Sequence, residues 1–94
     1  MINLGARPRL ARKARLRLDA PSGKHMLLYP ERGLELSDTA AEIARLCTGE
    51  ASVDAIVDGL QARHAGEPRA RIEEEVLVFL RALEECGLLA EGEP

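Results

Sequence analysis

Leu27-Leu28-Tyr29-Pro30-Glu31-Arg32-Gly33-Leu34-Glu35-Leu36-Ser37-Asp38-Thr39-Ala40 reads as a strand, a tight turn, a second short strand and the first turn of a helix. Pro30 and Gly33 bracket the turn, and Gly33 is able to take the positive φ of a bulged hairpin. The strand from Gly33 to Leu36 is short and carries one charge, Glu35. A helix start follows at once, so little chain remains to cover this strand. A strand so placed is expected at the edge of a sheet, with unpaired N–H and C=O groups that another chain can use.

Toward the N-terminus, Leu10, Ala14, Leu16 and Leu18 share one parity, and Lys13, Arg15 and Arg17 share the other; Arg12 breaks the pattern. Period two predicts a half-buried first strand from Leu10 to Leu18. Pro21-Ser22-Gly23 is turn chemistry. His25–Tyr29 is apolar on both parities through Met26, Leu27 and Leu28, which predicts the central strand. Short connections predict a meander of first, second and third strand.

Toward the C-terminus the periodicity changes to that of helices. Ser37, Asp38 and Thr39 are N-cap candidates, and Thr39 with Glu42 has the spacing of a capping box. Ala40, Ile43, Ala44 and Cys47 recur at helical spacing as far as Gly49. Ser52 is placed to cap a second helix with the apolar face Val53, Ile56, Val57 and Leu60. Pro68 fits the start of a third helix, whose main face is Ile72, Val76, Phe79, Leu80, Leu83 and Cys86. Gly87 reads as the residue that ends it, with Leu88 folding back onto the last turn. Leu77 and Val78 lie off that main face on opposite sides, and Val78 sits beside Ala82. This apolar surface exceeds the stripe of about 100° that a small domain needs. Either one flank packs under the sheet, or part of it lines a groove for a partner's side chains.

Ninety-four residues make one domain. The expected division is a flexible N-terminal arm over residues 1–8, a single domain over 9–90 and a tail over 91–94. There is no apolar run of about 18 residues and no signal-peptide pattern at the start, so a cytoplasmic location is the default expectation and no membrane contact is expected. Cys47 and Cys86 stand beside apolar residues at helical positions, without a CxxC or a nearby His, and read as small buried hydrophobes. Residues 1–24 hold seven basic groups against Asp19 alone, whereas the remaining 70 residues hold six basic and fifteen acidic groups. The two parts can attract each other, or the basic strand can attract an acidic partner.

Catalytic chemistry is poorly represented. His25 and His64 have no Ser, Cys or carboxylate partner at motif spacing. Glu73-Glu74-Glu75 cannot converge on one site, because consecutive helical residues point about 100° apart; they read as a solvated face near the positive end of the helix dipole. No phosphate loop, HExxH or CxxC is present, and no cofactor or metal is expected. Three helices with a small sheet are also the outline of a winged-helix domain. Against a nucleic-acid role, the third helix carries Glu73, Glu74, Glu75, Glu84 and Glu85, the wrong charge for reading base edges. Tyr29 and Phe79 alone are available for stacking. The expected architecture is therefore α+β and winged-helix-like, a three-stranded antiparallel sheet followed by three helices.

In this order of elements the chain resembles the PqqD family of pyrroloquinoline quinone biosynthesis. The resemblance rests on Pro8-Arg9-Leu10, Leu27-Leu28-Tyr29-Pro30-Glu31, Leu34-Glu35-Leu36-Ser37-Asp38-Thr39-Ala40, Ile43, Leu46-Cys47-Thr48-Gly49, Ser52-Val53, Phe79-Leu80 and Gly87-Leu88. It covers nearly the whole chain after residue 7. Ser37 stands where Asn is equally expected, and both cap helices well. The resemblance implies a non-catalytic peptide chaperone that binds the precursor peptide PqqA and presents it to the radical SAM enzyme PqqE, which cross-links a glutamate and a tyrosine of the peptide. It also implies that the peptide adds as a strand to the third strand and packs against the third helix. On that basis Gly33, Leu34, Glu35 and Leu36 are the expected edge, and Val76, Leu77, Leu80 and Leu83 the expected groove. Two alternatives share the pattern: a homodimeric interaction module using the same open edge, and a winged-helix nucleic-acid-binding regulator.

Overall fold

The computed structural model describes residues 2–30 and 32–90. Three strands, β1 (Arg15–Asp19), β2 (Lys24–Tyr29) and β3 (Arg32–Leu36), precede three helices, α1 (Asp38–Arg45), α2 (Val53–Arg63) and α3 (Arg69–Glu85). The sheet is antiparallel in the order β1-β2-β3, with β2 central. The fold is α+β, as the switch from period two to helical spacing predicts. The tail expected over 91–94 and Glu31 of the turn lie outside the described residues.

Register sorts the sheet into two faces. Leu16 pairs with Leu27 and Leu18 with His25, while Leu34 pairs with Leu27 and Leu36 with His25. These residues share the inner face, where Leu27 is fully buried and Leu36 nearly so. Arg15, Arg17, Met26, Leu28, Gly33 and Glu35 fall on the outer face. Helix α1 lies under all three strands and also touches α3, and α3 packs chiefly along α2. The core is the meeting of these layers: Leu27 and Leu36 from the sheet, Ala41, Ile43 and Ala44 from α1, Val53, Ile56, Val57 and Leu60 from α2, and Ile72, Val76, Leu80 and Leu83 from α3. Fully burying one such Leu or Ile contributes about 1.5–3 kcal/mol.

Several local expectations are corrected. The first strand begins at Arg15, not Leu10. Arg9 and Leu10 instead make isolated bridges to Thr48 and Leu89. Residues 2–8 do not run free. The Ala6 and Leu4 carbonyls accept from Val53 N (2.8 Å) and Asp54 N (2.9 Å), two donors of the first turn of α2 that have no partner within their own helix. Ile2 is buried in the core. The arm is therefore a strap that completes the start of α2. Farther along, Ala11 N donates to the Leu88 carbonyl and Ala90 N to the Arg9 carbonyl, tying the strap to the end of the domain.

Ser37 caps α1, its hydroxyl accepting from Ala40 N at 3.1 Å. Thr39 and Glu42 form no capping box there; Glu42 bonds His64 at 3.0 Å and Arg63 at 3.1 Å instead, joining α1 to the end of α2. Ser52 caps α2 through Ala55 N, also at 3.1 Å. At the end of α3, Gly87 has φ +72°, and Leu88 N donates to the Leu83 carbonyl. Leu88 is fully buried, as the Gly-Leu pattern predicts. Arg69 opens α3 by reaching Asp58, Asp54 (2.6 Å) and Glu73 (3.2 Å), a clasp between α2 and α3.

Candidate functional site

β3 pairs on one side only, with β2, so its other side is an edge. Which groups point out of it follows from the register. Tyr29 and Arg32 close a hairpin over two intervening residues. A pair that close to the turn forms by exchanging both of its own hydrogen bonds. Alternation along an antiparallel ladder then turns Leu34 and Leu36 toward β2. The N–H and C=O of Gly33 and Glu35 are left pointing away from the sheet. Gly33 and Glu35 are exposed, and Leu34 is 39% exposed at the inner face of the edge.

Gly33 does not use a positive φ; it is extended within β3, correcting the bulged-turn expectation. Its value there is spatial. A Cβ at Gly33 would stand 3.1 Å from Leu28 Cδ2 and 3.4 Å from Met26 Cε, so the missing side chain leaves room for those two to lie across the strand. Glu35 on the same face pairs with Lys24 at 3.5 Å, an exposed contact that leaves its main chain untouched.

Beside the end of β3 an open groove of about 520 Å3 runs between α1 and α3. Ser37, Thr39, Ala40 and Ile43 form one wall, and Glu74, Glu75, Val78, Phe79 and Ala82 the other. Because Ser37 follows Leu36 directly, the groove opens where the edge ends. Val78 is 60% exposed, although it belongs to the longest helix of the domain. The floor is apolar and the α3 rim is acidic. Of the two residues that the helical pattern shows as surplus, Val78 borders the groove beside Ala82, and Leu77 does not.

The residues expected to line the groove separate into two groups. Val76, Leu80 and Leu83 are in the core, fully or almost fully buried, because α3 points them at α1 and α2. None of the three lines the groove; they hold α3, its second wall, in the core. Val76 also reaches the floor of a separate hollow of about 190 Å3 between α2 and α3, lined in part by Leu60, His64 and Glu67. Leu77 is half-buried against the core edge. On β3, Gly33, Leu34 and Glu35 are at the surface, whereas Leu36 is buried and anchors the strand to α1. Phe79, which the helical pattern assigns to the core face, is half-buried and borders the groove.

The remaining reactive groups are dispersed. Cys47 is buried just past the end of α1, its thiol donating to the Ile43 carbonyl at 3.2 Å, and burial pushes its pKa up to about 12. Cys86 is exposed, not buried as its spacing suggests, because it caps the end of α3. His64 faces Glu42, and His25 approaches Asp38 at 3.5 Å. Among the described residues no group of three His, Cys, Asp or Glu side chains is placed to hold a metal ion, and no helix is long and apolar enough to cross a membrane.

Residues 24–89 match the family model of coenzyme PQQ synthesis protein D (PqqD). A PqqA binding protein of Rhodopseudomonas palustris (strain BisB5) is 39% identical over 91 residues, covering 97% of this chain and 88% of that protein. The corresponding protein of strain HaA2 is 41% identical over 87 residues, 93% of this chain and 84% of its own. Among solved structures, the solution NMR structure of the PqqD truncation of Methylobacterium extorquens PqqCD superposes with a TM-score of 0.83 at 33% identity, covering 97% of this chain and 96% of that one. That protein is described as a functional, stand-alone recognition element for a ribosomally synthesized and post-translationally modified peptide. The family model spans the sheet edge, the groove and all three helices, and this chain belongs to the PqqD family.

Proposed function

We propose that this protein is a non-catalytic peptide chaperone of pyrroloquinoline quinone biosynthesis. It binds the precursor peptide PqqA as a fourth strand on β3 and presents it to the radical SAM enzyme PqqE. The observation that carries the reading is the pair of outward backbone sites at Gly33 and Glu35, set beside an apolar groove, in a chain whose relatives are PqqA binding proteins.

The physical account is strand addition. Main-chain hydrogen bonds at Gly33 and Glu35 hold the peptide backbone, and pockets for alternate side chains select its sequence. Peptide residues opposite Leu34 and Leu36 turn toward the helices, so alternate apolar side chains enter the groove at Ala40, Val78, Phe79 and Ala82. Val76, Leu80 and Leu83 hold α3 in the core, and with it the α3 wall of the groove.

Proline scanning by calorimetry with PqqA tests the reading. Glu35→Pro removes an outward N–H and leaves the ladder to β2 intact, so it should keep the fold and weaken binding by about ten-fold or more. Leu34→Pro removes a ladder bond and should destabilise the sheet itself. Unchanged affinity in Glu35→Pro would overturn strand addition at this edge. The homodimeric alternative uses the same edge without a peptide; it predicts a concentration-dependent mass by light scattering that Glu35→Pro abolishes.

A further inference from the structure

The outer face of the sheet carries a second feature that the peptide edge does not use. Arg15 lies opposite Leu28 and Arg17 opposite Met26 on adjacent strands. Leu28 is 37% exposed, and it and Met26 lie over the bare backbone at Gly33. Neither arginine makes a salt bridge with a described carboxylate. Of the described carboxylates of this face, Glu35 stands in one row with Met26 and Arg17 but pairs with Lys24, and Asp19 accepts from the Ser22 hydroxyl. Among the described residues, the two arginines of β1 are therefore left without a paired carboxylate. In the helical body Glu42 pairs with Arg63, Asp54, Asp58 and Glu73 with Arg69, and Glu67 and Glu75 with Arg71.

Two unpaired guanidiniums beside an apolar strip are the composition of a protein-binding patch, since arginine and methionine are enriched at such interfaces. We propose that this outer face, centred on Arg15, Arg17, Met26 and Leu28, docks an acidic surface of the enzyme that modifies the bound peptide. The inference rests on the proposed function for the identity of that enzyme. Charge complementarity sets the sign of the partner, and the apolar strip favours a protein over a polyanion. The geometry permits simultaneous occupation. A strand added at β3 extends the sheet sideways, leaves the outer face uncovered and places its own alternate side chains next to Gly33 and Glu35. The enzyme then meets protein and peptide on one continuous surface.

The test uses the full chain, with and without PqqA, titrated with purified PqqE. Amide shifts should appear at Arg15, Arg17, Met26 and Leu28, and the affinity should fall as salt rises. Arg15→Glu with Arg17→Glu should weaken enzyme binding by about ten-fold or more while PqqA binding at β3 persists, which also reports that the variant is folded. Enzyme binding unchanged in the double variant would overturn the proposal. So would the same shifts arising with duplex DNA or phosphatidylglycerol vesicles but not with the enzyme. Loss of PqqA binding in the unsubstituted chain would instead count against the proposed function, and the enzyme titration would still read the outer face.

Discussion

Cys47 and Gly33 show how much single positions can carry in so small a domain. The Cys47 thiol is folded away from water with its pKa pushed up to about 12 from an ordinary 9.0. The unfolded chain therefore loses this proton at lower pH than the folded one. Stability from this group is complete below pH 9.0 and declines as pH rises toward 12. Denaturant titrations across that range should show an alkaline loss approaching about 1.4 kcal/mol per pH unit that is absent in Cys47→Ala. Without denaturant a maleimide should label Cys86 and spare Cys47. At Gly33 the clash of an added Cβ falls on the flexible ends of Leu28 and Met26. Gly33→Ala should thus change stability by no more than about 0.5 kcal/mol. Spacing alone identifies neither cysteine's environment, because Cys47 and Cys86 both sit at apolar helical positions and only the termination of each helix decides which is covered.

Among elements, α3 has two jobs on two faces. Its inner face builds the core, and its outer flank borders the groove. The two should separate cleanly by mutation. Leu80→Ala should cost about 2–5 kcal/mol of stability, read by urea unfolding, because it opens a cavity in the core. Val78→Asp should leave stability nearly unchanged and weaken PqqA binding, read by calorimetry. The reverse pattern would place the groove on the wrong flank. The helical pattern makes the surplus of apolar surface on α3 visible, since Leu77 and Val78 fall outside a single stripe. It does not say which residues are covered, because that depends on how α1 and α2 rotate α3 in the assembled core. The same limit explains β1. Alternation runs back to Leu10, but the chain turns at Ala11–Ala14, where Ala14 N donates to the Ala11 carbonyl, and Arg9 and Leu10 before it bridge to Thr48 and Leu89.

For the whole molecule, the chain order of three strands and three helices is legible because turn chemistry and the change of periodicity are local signals. The N-terminal strap is not legible, because its bonds run to the first turn of α2 and to the end of the domain, far along the chain. Deleting residues 1–8 strips two carbonyl acceptors from Val53 and Asp54 and removes buried Ile2. The deletion should lower stability by about 2–4 kcal/mol in thermal or urea unfolding, whereas a truly loose arm would cost nothing. That strap, the α2–α3 clasp at Arg69 and the buried anchor Leu36 fix β3 and the groove relative to each other, with the outer edge of β3 left unpaired beside the groove.

The state of that edge is best read at its own amides. Hydrogen exchange followed by NMR, with and without PqqA, reports Gly33 and Glu35 directly. Strand addition predicts that both amides exchange rapidly in the free protein and become protected when the peptide binds, while Leu34 and Leu36 are protected throughout by their bonds to β2. Bound peptide with Gly33 and Glu35 still exchanging at their free rates would contradict it.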